Sequence, residues 1–298
     1  MDAAATESND REALEADLGT AVSALKKDLG KQLAGPRRAL AALEALGAAR
    51  ALDDLAILHK HVEPLRDAEL GPFGLSEAQA ALAARLGAHR ERLKARARST
   101  VLAEIHRLAA AQGIDVVQVA EHPVALLLAP VVAELDFDAG TAQILYAREV
   151  VSDAELSARA VLGARDAAME RIKAGAVDST AFFERALRAY RMVLAARGLA
   201  PGERVDLVDL LAPLGLLAQG PDAWRRDAAD GYPRYLLAYQ LARLRRDGVL
   251  ETGGLRVELG TATGGSTRNK RDVLYVPSSP ADGQYHLSIR FVARTEAP

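Results

Sequence analysis

Residues 232–271 read YPRYLLAYQLARLRRDGVLETGGLRVELGTATGGSTRNKR, and the fold turns on how this stretch is interpreted. In its first half Leu237, Leu241 and Leu244 recur at spacings of four and three, which places them on one narrow stripe of a helix. Tyr235, Tyr239, Arg243 and Arg246 fall on the opposite side. After Gly248 the period changes: Leu255, Val257 and Leu259 alternate with Arg256 and Glu258, as in a half-buried strand. Residues 273–276 supply a return strand, and the intervening residues 264–271, GGSTRNKR, form a basic hairpin tip carrying Arg268, Lys270 and Arg271. A third strand follows, with Tyr285, Leu287, Ile289 and Phe291 inward and His286, Ser288 and Arg290 outward.

Guanidinium groups offer forked donors to phosphates and base edges, and phenols reach phosphate or sugar. A helix with an Arg/Tyr face, followed by a flexible cationic loop, therefore has the chemistry of a nucleic-acid contact. The expected binding residues are Tyr235, Tyr239, Arg243, Arg246, Arg268, Lys270 and Arg271. The run Leu244-Arg-Arg-Asp-Gly248-Val-Leu250 resembles the helix end and strand start of winged-helix regulators, a likeness covering fewer than thirty residues. It implies a C-terminal winged-helix-like domain over residues 201–298. The connection preceding Tyr232 is longer than the tight turn of a standard helix-turn-helix, which weighs against major-groove insertion more than against nucleic-acid contact.

The remainder of the chain bounds the class. Half of the 298 residues are apolar but only 4% are aromatic, and alanine and leucine dominate, which favours helices packed through small and unbranched side chains. There is no cysteine, so disulfide frameworks and thiolate zinc sites are excluded. No apolar run reaches bilayer-spanning length, and the acidic first ten residues lack the blocks of an export signal, so a cytoplasmic location without membrane contact is expected. The formal net charge of −2 conceals segregation: residues 81–98 carry six basic groups and one acidic, and residues 225–298 carry twelve and eight. Local charge decides whether a polyanion docks.

Periodicity predicts helices over residues 9–33, over 36–61, from Ser76 to about Gly113, from 152 to 173 and from 178 to 198. Ser76 with Gln79, and Ser152 with Glu155, have the spacing of capping boxes. Between the helices, residues 114–119, 124–128, 131–137 and 143–147 read as strands of a small antiparallel sheet, with a turn at residues 138–141. The expected fold class is mainly α with a small β component. It comprises an N-terminal helical or coiled-coil region over 1–112, a central α/β region with the small antiparallel sheet over 113–200, and the winged-helix-like module.

A second basic island lies on the long third helix. Arg85, His89, Arg92 and Arg96 share one face, beside a ridge of Leu82, Leu86 and Leu93, so the ridge is placed to meet a partner helix and Arg85, Arg92 and Arg96 form a secondary patch. The evidence for chemistry is thinner. Glu134, Asp136 and Asp138 lie at two-residue spacing, as in a magnesium-dependent nuclease. His59 and His61 are two apart on a helix and diverge. Residues 260–267, GTATGGST, lack the lysine of a phosphate loop, and no nucleophile motif is present.

The expected function is non-enzymatic, without cofactor, metal or small-molecule substrate. The protein is read as a DNA-binding or assembly subunit whose N-terminal helices hold a protein partner or a second copy. That role suits a transcriptional regulator or an accessory subunit of a DNA-acting ATPase complex. The alternatives are a protein–protein scaffold without nucleic-acid contact, and a metal-dependent nuclease using Glu134 and Asp136.

Overall fold

The computed structural model describes residues 23, 27, 30–48, 50–219, 231–265, 270–280 and 282–293. The expected helix over residues 9–33 lies almost wholly outside them. The chain divides into two compact units, residues 1–100 with 137–140, and residues 101–136 with 141–298. Helix and strand are both well represented, at about 54% and 22%.

The first unit is helical. Helix α1 (Ala34–Leu46) and helix α2 (Leu55–Arg66) pack with the first part of α3 (Ser76–Ala111) around Ala39, Ala42, Leu46, Leu58, Val62, Leu65 and Leu70. Alanine on α1 lets the helices approach closely, and a fully buried leucine such as Leu58 contributes about 2 kcal/mol. The single helix expected over 36–61 is broken between α1 and α2. Asp54 is the reason: its carboxylate accepts from the backbone N–H groups of Ala56 and Ile57 at 2.8 and 3.2 Å, starting a new helix. Leu86 and Leu93, expected to meet a partner helix, pack against this unit's own core, while Leu82 is exposed.

Gln79 does not close a capping box. Its buried amide instead donates to the Leu65, Arg66 and Ala68 carbonyls at 2.7, 3.0 and 2.6 Å, the first two at the end of α2 and the third just beyond it. Helix α3 ends as expected near Gly113, whose φ of +69° allows Ile114 N–H to reach back to Ala109 C=O.

In the second unit, five strands form an antiparallel meander: β1 (Val117–Glu121), β2 (Val124–Leu128), β3 (Val131–Asp136), β4 (Thr141–Tyr146) and β5 (Glu149–Glu155). Every residue of β2 is buried, as its continuous apolar run requires. Strand β5 occupies residues expected to start a helix. Cross-strand pairing with β4 claims Ser152 and Glu155, and Ser157 caps α4 (Ala158–Gly175) instead, accepting from Ala160 N–H. Helix α5 (Ser179–Arg197) starts at Asp178, which caps Ala181 N–H at 2.9 Å, and buries Phe182, Phe183, Tyr190 and Leu194.

A short strand β6 (Val205–Asp206) and helix α6 (Leu211–Ala218) precede helix α7 (Arg234–Arg246). The last strands are β7 (Glu251–Thr252), β8 (Leu255–Thr261), β9 (Leu274–Pro277) and β10 (Gly283–Ala293). Strand β10 is the centre of this second sheet, and Phe291 on it packs edge-on to Phe183 and tilted against Tyr190.

Two expectations fail in this sheet. The hairpin between residues 255–259 and 273–276 is not formed: β8 and β9 both pair with β10, and His286 is registered against Thr261 of one and Leu274 of the other. The turn at residues 278–282, held by Ser278 N–H to Asp282 C=O at 2.8 Å, closes a far shorter loop than residues 262–273 would, so β9 pairs forward. The alternation along β10 is also interrupted. A register shift between His286 and Ser288 turns His286 inward, so that the buried residues are His286, Ile289 and Phe291.

Candidate nucleic-acid interface

Helix α7 is the element around which the expected site is built. Its backbone enters through Pro233, whose carbonyl accepts from Leu236 and Leu237 N–H, and leaves through Gly248 at φ +70°. Leu236, Leu237, Ala238, Gln240, Leu241 and Leu244 are buried, an arc wider than the stripe expected from the three leucines. Helices α4 and α5 and strands β5 and β9 all pack against it.

The opposite face carries the expected side chains, and the structure treats them differently. Tyr239 meets Tyr146 of β4 edge-on at 5.7 Å, and both it and Tyr235 are half-buried. Burial pushes the Tyr146 hydroxyl up to about 12, so it stays protonated and can donate. Arg243 and Arg246 both reach Asp247, at 3.3 and 3.4 Å, and Arg243 also donates to the Val177 carbonyl. The Ser179 hydroxyl donates to the same carboxylate at 2.6 Å and, with the two arginines, holds its pKa below the ordinary range. Arg246 remains largely exposed. Arginines in the last turn also balance the negative end of the helix dipole, a structural role that needs no ligand.

Tyr146, Tyr239, Arg243 and Arg246 line one cleft of about 190 Å³, closed by Pro130 and by the turn at residues 278–280. Three expected residues are thus brought together; Tyr235 is not part of the cleft. Lys270 and Arg271 are exposed on the loop leading into β9, and Arg268 lies outside the described residues.

A residue absent from the sequence reading joins these parts. Arg234 pairs with Glu149 at 2.7 Å and donates to the backbone carbonyls of Lys270, Arg271 and Val273, the first two at 3.1 and 2.9 Å. Five rigid N–H donors allow one guanidinium to bind a carboxylate and a run of carbonyls together. The C-terminal base of the basic loop is therefore tied to the first turn of α7. Arg148 makes a second tie: held at φ +65° in the β4–β5 turn, its guanidinium lies 4.3 Å from the Tyr275 ring centre and donates to the Tyr285 hydroxyl at 3.1 Å. The only sequence signal was the proximity of Arg148 to a turn.

On the outer face of β8 and β10, Glu258 is surrounded by Arg290, Arg256 and Arg204 at 2.7, 3.1 and 3.6 Å, and Arg290 first among them holds its carboxyl below the ordinary range. Three guanidiniums around one carboxylate leave this face positive. In the first unit Arg85, Arg92 and Arg96 are exposed on α3 and meet no acidic partner among the described residues, while His89 contacts the Leu52 carbonyl at 2.8 Å.

The acidic run is dispersed in its uses. Asp138 pairs with Lys94 within the first unit, and Glu134 sits opposite Gln143 in the meander. Among the described residues no three His, Cys, Asp or Glu side chains are placed to hold a metal ion. No helix among them is long and apolar enough to cross a membrane. Comparison with known proteins gives no matching family model, no matching curated protein and no matching solved structure.

Proposed function

We propose that this protein is a non-enzymatic DNA-binding or assembly subunit, contacting the nucleic-acid backbone through the end of α7 and the basic loop. Its N-terminal helices, with Arg85, Arg92 and Arg96, engage a protein partner or a second copy. The role is that of a transcriptional regulator or an accessory subunit of a DNA-acting ATPase complex. The single observation that carries this reading is the Arg234 tether, which joins the loop bearing Lys270 and Arg271 to the helix bearing Tyr239, Arg243 and Arg246.

We read residues 201–298 as a winged-helix-like arrangement, and the order of β6, α6, α7 and the strands paired on β10 supports that reading. Half-burial of Tyr235 and Tyr239 favours contact with phosphates over insertion of α7 into the major groove. A mobility-shift titration of duplex DNA against salt tests the reading. Affinity should fall steeply as salt rises, and Arg268→Ala/Lys270→Ala/Arg271→Ala should flatten the log–log slope by about three. Absence of binding at low salt refutes it.

The sharing of Asp247 by Arg243 and Arg246 favours a second reading, a protein–protein scaffold without nucleic-acid contact. In that case duplex DNA is not retained at low salt, and the same triple substitution weakens capture of a protein partner.

A further inference from the structure

The cleft between Tyr146 of β4, the end of α7 and the turn after β9 holds donors that the fold itself leaves unused. Tyr146 is only 4% exposed, yet its hydroxyl makes no hydrogen bond among the described residues and is not sealed from solvent. Burial keeps that hydroxyl protonated, so it has a proton to donate. The Tyr239 hydroxyl likewise has no hydrogen-bond partner among the described residues. Arg246 commits only Nε to Asp247, and Arg243 commits Nε to Asp247 and Nη1 to the Val177 carbonyl. Both terminal nitrogens of Arg246 and one of Arg243 therefore remain to donate. No carboxylate lines the cleft. Its other walls, Pro130, Pro277, Pro280 and Ala242, are apolar and rigid or small, and Tyr239 among them is half-buried. The edge-on pair of Tyr146 and Tyr239 engages a single ring face, so stacking surface is left over. At about 190 Å³ the cleft is smaller than the roughly 300–1,000 Å³ of a site for drug-sized ligands, and it suits one planar ring system.

We propose that this cleft takes one unpaired nucleotide, its base against Tyr239 and the proline walls, its phosphate on Arg243 and Arg246, and one of its acceptors receiving the Tyr146 hydroxyl. The walls ask for a flat ring and the donors for an anion with acceptors, and a nucleotide joins the two. A base inside a duplex stack cannot present its face, so only an unpaired one enters. Stacking on an aromatic ring tolerates every base, so the cleft reads strand state rather than sequence. The inference rests on the nucleic-acid reading above and narrows it to DNA that carries a single-stranded segment beside a duplex.

The test is fluorescence anisotropy of the full-length protein at one low salt concentration. The probes share one duplex: blunt, with a three-nucleotide 3′ or 5′ tail, and with the same tails built from abasic nucleotides. The better of the two tailed duplexes should bind about tenfold tighter than the blunt one, and its abasic form, which keeps the phosphates, should lose that advantage. Ala242→Trp, which fills the cleft from a half-buried helix position, should bring the ratio of tailed to blunt affinity to about one. Tyr146→Phe removes a single hydroxyl and should lower the ratio about threefold; it decides alone if Ala242→Trp does not fold. Free adenosine monophosphate should compete with the tail only at concentrations on the order of millimolar, because it lacks the duplex that anchors the tail. The proposal is overturned, with the duplex reading intact, if blunt and tailed duplexes bind alike, if the abasic tail serves as well as the natural one, or if either folded variant keeps the ratio. Full competition by micromolar adenosine monophosphate also overturns it, by assigning the cleft to a free nucleotide. Absence of binding to every DNA at low salt overturns both readings.

Discussion

Asp247 sets how much positive charge α7 can offer. Its carboxylate takes Arg243, Arg246 and the Ser179 hydroxyl at once, so the two arginines reach solvent partly neutralised. If they contact phosphate, Asp247→Asn should tighten duplex binding and steepen its salt slope by about 0.9 for each arginine released. The same change should alter acid stability. The folded pKa of Asp247 is depressed, so its stabilisation is present above the ordinary carboxylate value of about 3.9 and is lost as pH falls through the folded value. Urea melts below about pH 4 should therefore show a shallower loss of stability in Asp247→Asn than in the unsubstituted protein. At Gln79, whose amide serves three backbone carbonyls, Gln79→Leu should cost about 1–3 kcal/mol in denaturant unfolding, since buried acceptors lose their donor. Individual roles of this kind were hard to read from sequence: Gln79 has the spacing of a capping box, yet its partner carbonyls lie eleven to fourteen residues back.

Elements were more legible than their pairings. The helix from Ser76 and the strands at residues 124–128 and 131–136 follow from the apolar pattern, and the helix after Asp178 from that pattern and its cap. The β5 strand was hidden because Ser152 and Glu155 carry a strong local helix-start signal that pairing with β4 overrides. The pairing of β8 and β9 with β10 rather than with each other was hidden because alternation identifies a strand without naming its neighbour. The loop's anchoring by Arg234 gives an element-scale expectation. Arg234→Leu should accelerate amide hydrogen exchange at residues 270–273, with exchange in the β2–β4 ladders unchanged; equal protection in both proteins would mean that the tether does not order the loop.

For the molecule as a whole, composition and residue pattern foresaw a helix-rich chain containing an antiparallel sheet. They did not foresee that the Arg/Tyr face of α7 would be shared between a cleft with Tyr146 and an ion-pair network at Asp247. The cleft contact comes from Tyr146 of β4, about ninety residues earlier, and no local period carries it, whereas Arg243 and Asp247 form an i,i+4 pair within reach of the local sequence. The central claim is that the end of α7 and the basic loop act as one polyanion-binding surface. Its most direct test is the salt slope of duplex binding, measured by fluorescence anisotropy, for the unsubstituted protein, Arg243→Ala/Arg246→Ala, Lys270→Ala/Arg271→Ala and all four changes together. The account predicts that each pair flattens the slope and that the fourfold variant is flatter than either; a slope unaltered by either pair would contradict it.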